Sequence, residues 1–297
     1  MNSCNLPSSA RRVCANRLGS ARLAHILGIV APLFLSAGCV TAATEETNSV
    51  RTDGLVRSDG LLTKSLLNVS RETVLSARTV RIVPTQFSST IGDTGMGTGQ
   101  HALVANAVDR ALCMALGERL QIVAGDGADI TVRATVTRAT PTNTAAAGLS
   151  QAASLAVPLL LPGTPVYVPR LPIGLGSLSV QADARDRRGR RAAAMMWERT
   201  ADIITSSPRV STDGDAYDLA GIFGADFASL LVTGESPFNG EPRLPFKEMA
   251  HALGIGPGVE ACRAYGSPPG LKGLAGRRIG LPPDWTDQGA PIPGNAL

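Results

Sequence analysis

The sequence predicts an α+β domain: a mostly antiparallel sheet in the order β-α-β-β-β-α, with helices packed on one face. Three observations lead there. Ala128–Arg138 alternates strictly, with Ile130, Val132, Ala134 and Val136 on one side and Thr131, Arg133, Thr135 and Thr137 on the other. That is the period of a half-buried strand, usually antiparallel. Ser177–Asp186 and Ala192–Ile204 flank the short basic turn Arg187-Arg188-Gly189-Arg190-Arg191, which reads as a hairpin. His101–Leu120 and Ala216–Val232 repeat apolar residues at helical spacing.

In chain order, Thr41–Asp59 is polar and aperiodic, and residues 39–59 read as a flexible tether. The domain is expected over 60–233. Leu61–Val69 is expected to form a short helix or turn at its edge, and Arg78–Pro84 a first strand ended by Pro84. Thr85–Gln100 reads as a loop. The helix after it carries Val104, Ala107, Val108, Ala111, Leu112 and Ala115 as one stripe. Gly125-Asp126-Gly127 marks a turn before the alternating strand. An apolar insert, 145–172, follows. Its first part, Ala145–Leu161, is rich in small residues and interrupted by Pro158. At 17 residues it falls short of the roughly 20 that span a bilayer. Two readings stand: a helix covering the domain and followed by an extended crossover, or an apolar element facing a partner or membrane. After the hairpin, Asp213 or Asp215 can cap the last helix, where Tyr217, Ala220, Phe223, Phe227 and Leu231 recur at helical spacing. Residues 234–297 are punctuated by Gly and Pro. One short helix is expected at Pro245–Leu253, and the rest as an extended tail, partly disordered or wrapped on the domain.

The N-terminus sets the compartment. Four arginines precede the apolar run Leu23–Leu35, and small residues close it, as in a secretory signal. The run is too short for an uncleaved spanning anchor. Leu35-Ser36-Ala37-Gly38-Cys39 resembles the bacterial lipobox, which makes residues 1–38 a lipoprotein signal and Cys39 the acylated first residue. Ser36 stands where leucine is usual. Ordinary cleavage nearby, leaving a soluble periplasmic protein, is the alternative. Val40, in place of Asp, points to the periplasmic face of the outer membrane. The apparent basicity of the chain belongs to this signal. Of 28 Lys and Arg residues, Arg11, Arg12, Arg17 and Arg22 lie before Cys39 and no acid does, leaving 24 basic against 24 acidic residues. A neutral exported domain gives no reason to expect nucleic acid as a partner.

Cys113 and Cys262 are the two thiols left after processing. In an oxidising compartment they can pair, or both can stay free. Cys113 lies opposite the apolar stripe of its helix, which reads as a position outside the core. No metal, cofactor or catalytic residue is expected. Gly97-x-Gly99-x-x-Ala102 fits a loose dinucleotide pattern but lies more than ten residues past the preceding strand. His-x-x-x-His, Cys-x-x-Cys and Gly-x-Ser-x-Gly do not occur. His101 and His251 read as surface residues, and the arginines of residues 185–191 as a solvated hairpin tip beside Asp183 and Asp186.

The lipobox, the strand ending at Pro84 and the stretch LSVQADARDRRGRRAAAMMWER (Leu178–Arg199) together resemble a family of proteobacterial lipoproteins, domain of unknown function 3313. The resemblance spans about residues 58–233. It implies a fold class and a location in the envelope, and no activity. The expected role is a non-catalytic binding or assembly module, held to the membrane by its lipid and meeting an envelope protein partner. The alternative is an envelope hydrolase acting on glycan or peptidoglycan.

Overall fold

Alternating apolar residues build one mixed sheet in this computed structural model, which describes residues 53–89, 94–160, 168–239, 250–251, 253–257 and 259–290. Its strands are β1 (Val56–Arg57), β2 (Thr63–Val69), β3 (Thr79–Phe87), β4 (Gln121–Ile122), β5 (Ile130–Thr140), β6 (Ser177–Asp186) and β7 (Arg191–Thr200). The order across the sheet is β1-β2-β7-β6-β5-β3-β4. The pairings from β1 through β5 are antiparallel, whereas β5–β3 and β3–β4 are parallel. Parallel neighbours require a crossover. Helix α2 (Thr98–Leu116) supplies it between β3 and β5.

Several boundaries differ from the sequence reading. Leu61–Val69 is neither helix nor turn, because Thr63–Val69 forms β2 along β7. Its inward residues are Thr63, Ser65 and Leu67, so two of the three buried positions are polar and the alternation is hidden. β1 lies inside the stretch read as tether. β3 does not stop at Pro84. Its register with β5 shifts between Val83 and Gln86, and the strand resumes to Phe87. A bulge is one of the few places in a strand interior where a residue without an N–H fits.

α1 (Arg71–Ser76) follows β2. The insert begins as α3 (Thr144–Leu160). α4 (Gly214–Thr233) is long and apolar enough to cross a membrane by composition, yet half of it is buried against its own protein. It lies against α2, β6 and β7. The reason is in β6 and β7, where Ala182, Ala184 and Ala193 leave room for Phe223 and Phe227, both fully buried. Trp197 meets Phe223 edge-on at 5.6 Å, and its indole N–H donates to Asp226 at 2.9 Å. Where α4 meets α2, Gly224 faces Ala111; a Cβ there would sit 2.9 Å from the Ala111 carbonyl carbon.

The tail is wrapped rather than loose over its described part. α5 (Val259–Cys262), a 3-10 turn (Arg263–Tyr265) and α6 (Gly270–Arg278) follow one another, and α5 and the turn pack on α2. The helix expected at Pro245–Leu253 lies largely outside the described residues.

Candidate functional site

Cys113 and Cys262 are joined by a disulfide across 149 residues of chain. Both are buried, and Cys113 belongs to the core, contrary to its reading as a non-core position. The tail covers the side of α2 that points away from the sheet, so α2 is buried nearly all round. Cys39 lies outside the described residues.

Buried polar pairs tie distant parts of the chain together, the tail among them. Arg110, also on α2, pairs with Asp287 and donates to the Tyr265 carbonyl at 3.3 Å and the Tyr217 hydroxyl at 3.2 Å. Tyr217 in turn donates to Asp287 at 2.5 Å. Arg209 lies 5.3 Å from the Tyr217 ring centre and pairs with Asp218 at 3.1 Å. Arg170, near the end of the insert, donates both guanidinium nitrogens to Asp215, at 2.5 and 2.8 Å. Buried charges persist only when matched in this way. Asp213 stands at the N-cap of α4, but neither it nor Asp215 caps the helix through its side chain; Asp215 serves Arg170 and the Gly176 N–H instead.

Among the described residues, two carboxyls are pushed up. Asp109 is raised to about 6 by burial, against hydrogen bonds from the Thr85 hydroxyl (2.6 Å) and backbone N–H (3.0 Å). Asp213 is raised by burial, with Asp284 adding to it and Ser211 and Gln100 opposing. Both are interior groups, and neither lines the two surface depressions described next.

One depression, about 540 Å³, lies on the sheet face away from α2 and α4. Its floor includes Leu66, Met196, Gln181 and Ser179, with Thr137 and Arg138 at one side and Arg57, Asp59 and Lys64 at the other. These positions are neighbours by register: Lys64 opposes Glu198, Leu66 opposes Met196, and Met196 opposes Gln181. The floor is half-exposed and mixes thioether, aliphatic and amide groups. Asp59 is held below the usual carboxylate range by the Ser65 N–H and by Arg57 at 2.7 Å, so it is poorly suited to donate a proton. Glu198 is the other carboxyl in the lining, and the arrangement as a whole offers an open binding surface.

The second depression, about 550 Å³, lies beside the β6–β7 turn. Two of its three arginines pair with acids: Arg187 with Asp129 at 2.9 Å and Arg190 with Asp186 at 2.7 Å. His101 is half-buried rather than a plain surface residue. It stacks on Phe87 with ring centres 4.3 Å apart and shares a 2.8 Å hydrogen bond with Thr94. His251, half-buried as well, lies 3.1 Å from Glu118. In the first turn of α2, the Gln100 amide oxygen accepts from the N-cap Gly97 N–H at 3.0 Å and its amide nitrogen reaches Asp213 at 3.1 Å. An acid at that place disfavours phosphate. Among the described residues no three His, Cys, Asp or Glu side chains converge for a metal.

A family described as "Protein of unknown function (DUF3313)" matches residues 45–227. No curated protein matches the chain. Among solved structures, a PelC dodecamer from Paraburkholderia phytofirmans is 7% identical, covering 58% of this chain and 98% of that one, with a TM-score of 0.34. A DUF330 protein from Xanthomonas campestris is 11% identical (56% and 91% covered, TM-score 0.31). A DUF4136 family protein from Bacteroides thetaiotaomicron is 8% identical (58% and 97% covered, TM-score 0.27). Likeness at these scores carries no functional inference.

Proposed function

This chain belongs to the DUF3313 family of proteins of unknown function, and from that membership we propose a non-catalytic module of the cell envelope. It is exported, acylated at Cys39 and held at the periplasmic face of the outer membrane. There it presents the uncovered sheet face to an envelope protein. The observation that carries the binding role is the 540 Å³ depression, with Leu66 and Met196 in its floor and Arg57, Lys64 and Arg138 at its sides. An open, half-apolar floor with a charged rim suits a protein surface or an extended segment better than an enclosed small molecule. The Cys113–Cys262 bridge supports an oxidising compartment.

Two measurements test this. A photoreactive residue at position 196 should yield a covalent adduct with an envelope protein in intact cells, and the same residue at the exposed position Ile255 should not. Equal adducts at both sites, or none under conditions that capture a known complex, would overturn the binding role. Cys39→Ser should remove the protein from the outer-membrane fraction; its retention there would overturn the anchor.

A further inference from the structure

Helix α3 is inside out. With 3.6 residues per turn, Ala147, Ser150 and Gln151 share its buried face, and two of these three are polar. Ser150 accepts the Leu171 N–H at 3.0 Å, and Gln151 donates to the Arg278 carbonyl at 3.0 Å. Leu149 and Leu160 lie on the opposite face and Leu155 and Leu159 on its flank; Leu149 is 66%, Leu155 47%, Leu159 82% and Leu160 76% exposed. A core-covering helix would have turned these leucines inward. Thr144–Leu160 also contains no charged residue.

The neighbouring helix supplies the charge. Gln151 holds α3 to the C-terminal end of α6, where Arg277 and Arg278 precede the half-exposed Ile279. Arg277 reaches Asp218 at 3.4 Å, while Arg278 and Lys272 are exposed and form no ion pair among the described residues. An uncharged apolar ridge beside Arg277 and the exposed Arg278 is complementary to one kind of surface: acyl chains beneath anionic headgroups. The reach also fits. Thirteen residues separate Cys39 from Asp53, and thirteen extended residues span at most about 45 Å.

We infer that α3 and the C-terminal end of α6 form an interfacial contact with an anionic bilayer, lying in its surface rather than crossing it. The polar face of α3 stays bonded to the protein, and 17 residues are fewer than a span needs. The inference rests on the proposed acylation at Cys39, which keeps the domain within reach of the membrane. It adds a second contact that fixes which side of the domain faces the lipid.

The test uses the acylated protein reconstituted into phosphatidylethanolamine–phosphatidylglycerol vesicles. Cys113 and Cys262 are disulfide-bonded, so Leu155→Cys provides a single thiol for a fluorophore. Lipids brominated in their acyl chains should quench that label, and the quenching should fall roughly twofold or more in vesicles without phosphatidylglycerol. A label at Thr137→Cys, on the sheet face, should stay unquenched. Combining Leu159→Ser and Leu160→Ser should reduce quenching at position 155 several-fold, at roughly unchanged thermal stability because both side chains are exposed. Protein that floats with the vesicles but shows no quenching at 155 overturns the contact and leaves the anchor standing. Protein that fails to float overturns both. Crosslinking between two copies through position 155, without quenching, would assign the ridge to a second copy of the chain and overturn the lipid assignment.

Discussion

Asp109 is where one side chain sets a property of the whole protein. Pro84 has no N–H to give the sheet, so the strand bulges there, and the N–H and hydroxyl of Thr85 turn to the Asp109 carboxyl. Burial outweighs those bonds and raises the group from an ordinary 3.8 to about 6. A raised folded value means the native state holds the proton more tightly than the unfolded chain. The resulting stability is fully present below about pH 4 and is lost as pH rises through about 6. At about 1.4 kcal/mol per unit the effect is roughly 3 kcal/mol. The carboxyls held below the ordinary value, such as Asp59, Asp129 and Asp186, act in the opposite sense and at lower pH. Asp213 acts in the same sense as Asp109. Asp109→Asn should therefore reduce the stability lost between pH 4.5 and 7.5 and make the variant the more stable protein at pH 7.5. Urea unfolding at the two values checks this; an unchanged slope would show that Asp109 titrates normally.

The contact between α2 and α4 is set by Gly224, which lets the two helices approach where Ala111 would meet any larger residue. Gly221, one turn earlier on α4, has open space around its would-be Cβ. The two positions therefore predict opposite outcomes for one substitution. Gly224→Ala should destabilise by about 1–3 kcal/mol through overpacking. Gly221→Ala should stabilise by about 0.5–1 kcal/mol through helix propensity. Thermal unfolding of the pair separates packing from propensity; equal shifts would mean that α2 and α4 yield easily.

For the molecule as a whole, the C-terminal segment works as a clamp. The family match ends at residue 227, yet the chain beyond it supplies Cys262 to the bridge, Asp287 to Arg110 and the Tyr265 hydroxyl to the Ile82 carbonyl at 2.8 Å. Replacing both Cys113 and Cys262 by Ser should lower unfolding free energy by about 4–5 kcal/mol on the chain-entropy model for so long a loop. Denaturant titration of this variant beside the oxidised protein provides the measure. A loss below about 1 kcal/mol would show that buried polar contacts alone hold the tail, since the bridge would then add little.

Local pattern and tertiary cover contributed different things. The period of two in Ile130–Val136, the hairpin around Gly189 and the helical spacing from Tyr217 to Leu231 were readable in the sequence, because backbone geometry imposes those periods wherever one face is buried. The antiparallel bias and the α+β class follow from them. The second burial of α2 was not readable. A stripe reports the side that meets the sheet, and the cover over Cys113, Asp109 and Arg110 comes from residues up to 177 positions away. β2 escaped notice because its buried Thr63 and Ser65 are polar, and α3 kept two readings because composition cannot say which face turns outward. The depression on the sheet is legible only as register, since Leu66, Met196 and Gln181 become neighbours when three strands align. By itself the sequence determined the periodic elements and named Cys113 and Cys262 as a possible pair. Tertiary structure alone decided which faces were covered twice and which stayed open, because burial depends on what distant chain comes to lie against a face.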